Sequence, residues 1–180
     1  NTNILFAGFG GQGVLFAAKL VASAGLVEGR EVSWLPSYGP EMRGGTANCS
    51  VVLSDEPIGS PLVIEPDLLI ALNQPSYDKF IDSVVPGGKV FVDSELVSVS
   101  STPESVSVYS LPATNMCHEA GLKGLANVLM VGKLIREAGC CQVDAIKAAI
   151  EKSVPPKRQH LLQPNLTAFD MGLNDTSLPL

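Results

Sequence analysis

Charge is scarce in this chain: Asp, Glu, Lys and Arg make up 17% of its 180 residues, and Lys and Arg together number only 12. The balance is acidic, with a formal net charge of −6. A surface that neutralises nucleic-acid phosphates needs clustered Lys and Arg, and the one basic pair here is Lys157-Arg158. Nucleic acid is therefore not expected as a partner. No apolar run approaches the ~18 to 20 residues that span a bilayer, and the first residues do not read as a charged segment followed by an apolar one. These absences predict a soluble, cytoplasmic protein with no membrane contact. The four cysteines, Cys49, Cys117, Cys140 and Cys141, include no C-x-x-C pair, so neither an iron–sulfur cluster nor a zinc site is expected and no metal ligand is assigned. Adjacent Cys140 and Cys141 read as packed thiols near a helix end. Also missing are a G-x-S-x-G elbow, an H-E-x-x-H helix and a Gly-Lys-Ser/Thr phosphate loop. Of the two histidines, His118 reads as a surface or interface residue and His160 follows a basic, proline-flanked segment, so neither belongs to an evident catalytic arrangement.

What the chain does have is apolar content of 46% and a mean hydropathy of +0.26. Its length suits one domain with a real core. Such a composition fits a parallel sheet buried on both faces, and equally a surface that another chain covers.

The organising stretch is Asn3 to Val14. Ile4 to Ala7 is too short for a buried helix and runs straight into glycines, so it reads as the central strand of a parallel sheet. From Gln12 to Val27 apolar residues recur at helical spacing. Between them Gly8, Gly10 and Gly13 fit G-x-G-x-x-G. Gly8 suits the tight turn off the strand, Gly10 the close approach of a ligand, and Gly13 close packing of helix on sheet. The N–H groups of the helix's first turn, with its dipole, favour an anion such as a phosphate. The spacing alone leaves open whether the glycines bind phosphate or serve only the turn.

Glu31 to Leu35 is a second strand. A dinucleotide-binding unit carries an Asp or Glu at its end for the ribose hydroxyls, and Pro36-Ser37-Tyr38 stands there instead, which counts against an NAD enzyme. Ser37 to Thr46 is a glycine- and proline-broken loop carrying Tyr38, Glu41 and Arg43; it presents functional side chains or is a solvated connection in which Glu41 and Arg43 pair. Strands follow at Thr46 to Leu53, Asp67 to Leu72, Lys89 to Val92 and Val106 to Leu111, with a turn-rich link from Ser54 to Pro66. Pro75 to Val84 forms a short helix. Asp93 lies at the ligand edge of an open α/β sheet, where it touches a ligand or caps a turn. One helix capped by Thr114 or Asn115 is expected to run through to Gly139, and another from Asp144 to Pro155. Asn165 is expected to cap the last helical turn. The fold class is therefore α/β, Rossmann-like, with a mostly parallel sheet and helices on both faces.

Four motifs in order, Gly8-Phe9-Gly10-Gly11-Gln12-Gly13-Val14, Tyr38-Gly39-Pro40-Glu41-Met42-Arg43-Gly44-Gly45, Asp55-Glu56-Pro57-Ile58-Gly59-Ser60-Pro61, and Asn165 through Ala168-Phe169 to Gly172, resemble the gamma subunit of 2-oxoacid:ferredoxin oxidoreductases. The resemblance covers essentially the whole chain. It implies a single gamma-type catalytic domain of the pyruvate/ketoisovalerate oxidoreductase kind over residues 1–180, acting within an enzyme that oxidatively decarboxylates a 2-oxoacid, joins the acyl group to coenzyme A and passes electrons to ferredoxin. Thiamine diphosphate and iron–sulfur clusters are then expected on alpha and beta subunits or a ferredoxin-like delta subunit. By position, Gly8, Gly10, Gly11, Gln12 and Gly13 would lie at the coenzyme A phosphates, while Tyr38, Glu41 and Arg43 would face the active site or a subunit interface. The second loop resembles the 2-oxoglutarate or branched-chain types, with 2-oxoglutarate favoured. The isolated chain would be inactive alone and open to self-dimerisation. The competing reading is a stand-alone nucleotide- or coenzyme A-binding regulatory module.

Overall fold

A computed structural model describes residues 1–38 and 46–180. Among these residues six strands form one sheet: β1 (Thr2–Phe9), β2 (Glu31–Tyr38), β3 (Thr46–Ser54), β4 (Leu68–Ala71), β5 (Lys89–Asp93) and β6 (Ser107–Leu111), in spatial order β2-β3-β1-β4-β5-β6. The helices are α1 (Val14–Val27), α2 (Gln74–Phe80), α3 (Ala113–Glu119), α4 (Ala126–Ala138), α5 (Val143–Ser153) and α6 (Leu162–Leu173). None of the helices among the described residues is long and apolar enough to cross a membrane.

The strand from Ile4 to Ala7 is central, as its unbroken apolar run predicts, and all four residues are buried. It pairs in parallel with β4, which continues in parallel to β5 and β6. On its other side β1 pairs antiparallel with β3, and β3 antiparallel with β2, Tyr38 facing Ala47. The sheet is thus mostly parallel with one reversed strand, β3; its separation from β2 in sequence is shorter than the dozen or more residues that a parallel crossover needs.

Alternation sends Ile4 and Phe6 to one face and Leu5 and Ala7 to the other. The first face is thick: α1 and α4 cover it, with α5 packed on α1 and α6 on α4. Every residue of α4 from Asn127 to Ile135 is buried, as expected of a helix held between a sheet and a second helix. Gly132 and Gly172 allow that contact, since a Cβ on Gly172 would strike the Leu129 carbonyl and one on Gly132 the Phe169 carbonyl. The second face is thin. α2 supplies Tyr77, and the link after β3 supplies Val63, whose N–H donates to Ser50 Oγ at 3.1 Å.

Two helical expectations need correction. The helix expected from Thr114 to Gly139 is two helices, because Gly121 and Gly124 adopt positive φ of 73° and 87° and break the chain between α3 and α4. Asn165 does not cap a helix start. α6 begins three residues earlier, and Asn165 Nδ2 donates back to the Leu161 carbonyl at 2.8 Å. After α6 the chain turns back, and the Leu180 N–H donates to the Val108 carbonyl of β6 at 2.8 Å.

Candidate functional site

The connection from β1 leads to one side of the sheet and that from β4 to the other, so a crevice opens beyond their carboxyl ends, the usual ligand position in open α/β sheets. A cleft of about 380 Å³ lies there, between the turn that starts α1 and the α3–α4 connection.

The glycine turn builds one wall. Gln12 N–H closes the turn on the Phe9 carbonyl at 3.2 Å. Its side chain works in both directions, Oε1 accepting from Phe9 N–H at 2.7 Å and Nε2 donating to the Leu72 carbonyl at 2.8 Å. Gly8 is required by this arrangement, since a Cβ there would stand 2.7 Å from Gln12 Oε1 and 2.8 Å from Val14 Cγ2. Gly13 holds a left-handed φ of 74° against Asn127, whose Nδ2 donates to the Gly13 carbonyl at 3.1 Å. Gly10 is exposed in the turn. Gly11, at φ 92°, has open space where a Cβ would be. The packing therefore needs Gly8 and Gly13, while Gly11 faces outward at the cleft. No side chain caps α1, which leaves its first-turn N–H groups for a ligand or water.

The floor is Leu72 and Asp93. Asp93 is 1% exposed, and its Oδ2 accepts from Thr114 N–H at 3.0 Å while Oδ1 accepts from Glu95 N–H at 3.0 Å. These are turn-capping contacts, and Asp93 also lines the cleft. The far wall carries Thr114, Asn115 and His118 of α3 and Lys123 of the connection. Sequence reasoning missed His118 and Lys123, and the Gly121-x-x-Gly124 break that turns Lys123 into the cleft was the signal available. Asn127 Oδ1 is buried and has no hydrogen-bond partner. Cys117 lines the base, and burial, then the charge of Asp93, push its thiol up to about 11. It stays protonated at neutral pH and is not poised as a nucleophile.

Among the described residues of the cleft, no ion pair joins an acidic to a basic side chain. Helix N–H groups on one wall and Lys123 on the other suit an anion, and the carboxylates of Asp93 and Glu95 also line the cleft. Tyr38 ends β2, and Glu41 and Arg43 lie outside the described residues. No group of three His, Cys, Asp or Glu among the described residues is placed to hold a metal ion.

Fold and cleft together define a Rossmann-like α/β domain with a crevice at the switch point of its sheet. Residues 3–174 match the family described as pyruvate ferredoxin/flavodoxin oxidoreductase. The chain belongs to that family, as a gamma-type subunit of a 2-oxoacid:ferredoxin oxidoreductase. It is 41% identical over 172 residues to the 2-oxoglutarate synthase subunit KorC of Methanocaldococcus jannaschii, covering 94% of this chain and 90% of that one. The gamma subunit of the keto/oxoacid ferredoxin oxidoreductase from Geobacter sulfurreducens superposes with a TM-score of 0.81 at 29% identity, covering 96% of each chain. The 2-oxoglutarate:ferredoxin oxidoreductase from Magnetococcus marinus, solved with 2-oxoglutarate, coenzyme A and succinyl-CoA bound, superposes with a TM-score of 0.86 at 25% identity. It covers 96% of this chain, which spans 30% of that longer one.

Proposed function

We propose that this gamma-type chain serves the CoA-dependent oxidative decarboxylation of 2-oxoglutarate, and that its cleft holds the phosphates of coenzyme A. The observation that carries the reading is the open α1 N-terminus facing Lys123 and His118 across one cleft at the switch point. Coenzyme A supplies the thiol that accepts the acyl group. This chain's part is to bind and orient it: first-turn N–H groups of α1 meet phosphate oxygens over Gly10 and Gly11, and Lys123 adds a compact positive charge. Gly8, Gln12 and Gly13 hold that turn in shape. The residues fit the group, since the outward side of Gly11 is empty and Lys123 stands on the wall opposite.

Tyr38, Glu41 and Arg43 are assigned to the active-site or subunit interface, where the Arg43 guanidinium suits a carboxylate or phosphate held bidentately. Residues 1–180 act as one gamma-type catalytic domain. Thiamine diphosphate and iron–sulfur clusters belong to alpha and beta subunits or a ferredoxin-like delta subunit, and ferredoxin takes the electrons. The likeness to KorC supports 2-oxoglutarate as the acid.

Anaerobic purification with partner identification, followed by viologen reduction on a panel of 2-oxoacids, tests the reading. Co-elution with the expected subunits and CoA-dependent activity on 2-oxoglutarate is the expected result. Preference for a branched-chain acid would change the substrate. Elution alone without activity would favour a stand-alone nucleotide-binding module. In the active complex, Lys123→Ala raises the KM for coenzyme A about tenfold or more with the 2-oxoacid KM unchanged, as loss of one charge-assisted contact implies. Arg43→Ala lowers turnover; unchanged kinetics with unchanged assembly would remove Arg43 from the site.

A further inference from the structure

At the opposite edge of the sheet, beyond the amino ends of β4 and β5, a second cleft of about 490 Å³ is lined by Arg30, Asp67, Lys89 and Cys140 among others. Cys140 and Cys141 sit together in the irregular segment between α4 and α5, so both thiols lie outside regular helix. They differ in surroundings. Cys140 is half-buried, whereas Cys141 is buried with its Sγ 3.9 Å from the Val21 carbonyl. The Arg30 guanidinium is fixed beside them, Nη1 donating to the Cys140 carbonyl at 2.8 Å. The neighbouring Cys141 thiol, and then the nearby Arg30 charge, hold the Cys140 thiol below its ordinary range against the effect of burial. Cys141 is raised by the same neighbour and by burial.

We propose that Cys140 and Cys141 form a modification site, a vicinal dithiol that a peroxide oxidises reversibly to a disulfide. The half-buried Cys140 is the attacking sulfur and Cys141 the resolving one. Cys140 thiolate attacks the distal peroxide oxygen, the O–O bond breaks, and Cys140 becomes a sulfenic acid while an alkoxide or hydroxide leaves and is protonated. Cys141 sulfur then attacks Cys140 sulfur, the S–O bond breaks and water leaves. The dithiol has lost two electrons and two protons and the peroxide has been reduced. Because the pair lies in an irregular connection, closing the ring breaks no helix. It draws Cys141 off the Val21 carbonyl and so loosens α1 where it meets that connection. This inference is independent of the coenzyme A reading, since the two clefts lie at opposite ends of α4, a separation of about 20 Å for a helix of its thirteen residues.

The chain carries its own controls. Cys49 is buried with its thiol pushed up to about 12, and Cys117 is buried with its thiol pushed up to about 11. Titration of the full chain with hydrogen peroxide, followed by alkylation and peptide mapping, is expected to give a Cys140–Cys141 peptide two hydrogens lighter that a dithiol reductant restores. Cys49 and Cys117 stay alkylatable under the same conditions. Cys141→Ala is expected to stop at a Cys140 sulfenic acid that a cyclic 1,3-dione traps, and Cys140→Ser to slow oxidation of the segment about tenfold or more. Irreversible oxidation of Cys140 with Cys141 still free would overturn the proposal, as would oxidation of all four thiols at one rate or no disulfide peptide. The wild-type map decides the matter even if a variant folds poorly.

Discussion

Gln12 Nε2 donates to the Leu72 carbonyl across 2.8 Å, so one side chain ties the turn after β1 to the end of β4. The same amide accepts from Phe9 N–H through Oε1. Gln12→Ala leaves both backbone groups without their partner, and the loss is about 1–3 kcal/mol for partly buried groups. Thermal unfolding of the variant is expected to shift down, by roughly 2–4 °C for each kcal/mol in a chain of this size. An unchanged Tm would mean that water replaces the amide without loss.

Gly13 and Gly11 separate stability from binding. Both have positive φ, so alanine costs ~1–2 kcal/mol of backbone strain at either. At Gly13 the added Cβ also collides with Asn127, whereas at Gly11 it meets nothing. Gly13→Ala is therefore expected to lower Tm clearly more than Gly11→Ala. Gly11→Ala is the variant that should raise the KM for coenzyme A out of proportion to its effect on Tm. Equal Tm losses would refute the packing role given to Gly13.

Gly172 meets α4 backbone to backbone, and a Cβ there would enter the Leu129 carbonyl. Carbonyl groups within a helix cannot rotate aside, so α6 must move off α4. Gly172→Ala is expected to destabilise by at least the ~1–3 kcal/mol typical of overpacking, read by denaturant titration. Full native stability would show that the helices slide without loss.

Much of this was legible in advance. The run Ile4 to Ala7 followed by Gly8-Phe9-Gly10 announced the central strand and the turn because apolar continuity and glycine spacing are local signals. The reversal of β3 was not, since alternating β-branched residues look alike in either direction and only pairing partners set orientation. The α3–α4 break was obscured because Leu122 and Leu125 keep helical apolar spacing through it, while Gly121 and Gly124 carry the turn. That break places Lys123 on the cleft, so the error about a helix became an omission at the site. Gln12 was expected at the ligand; it lines the cleft, and its side-chain amide is hydrogen-bonded within the turn.

Lys133 lies fully buried in α4, its Nζ 2.9 Å from Asp175 Oδ1 and 2.9 Å from the carbonyls of Asp175 and Ser177. Burial works against the Asp175 charge, but hydrogen bonds from Ser177 and Lys133 outweigh it and hold the carboxyl below its ordinary range. A depressed carboxyl contributes stability above its unfolded value and loses it as pH falls through its folded one. Residues after α6 are therefore expected to detach in acid before the core unfolds, which hydrogen exchange along a pH series would record. Asp175→Asn should show faster exchange of this segment near neutral pH and a flatter acid dependence. The same profile in both proteins would exclude Asp175 as the titrating group.

The Leu180 contact with Val108 has a consequence for behaviour in crowded solution. β6 is an outer strand, and an uncovered outer strand is a template on which another chain can add its own backbone. The returning tail occupies part of that template, so the bond that Lys133 and Asp175 secure also keeps one margin of the sheet from recruiting neighbours. Cutting the chain after Leu173 would then be felt first as clumping at high concentration, ahead of any loss of the cleft's shape.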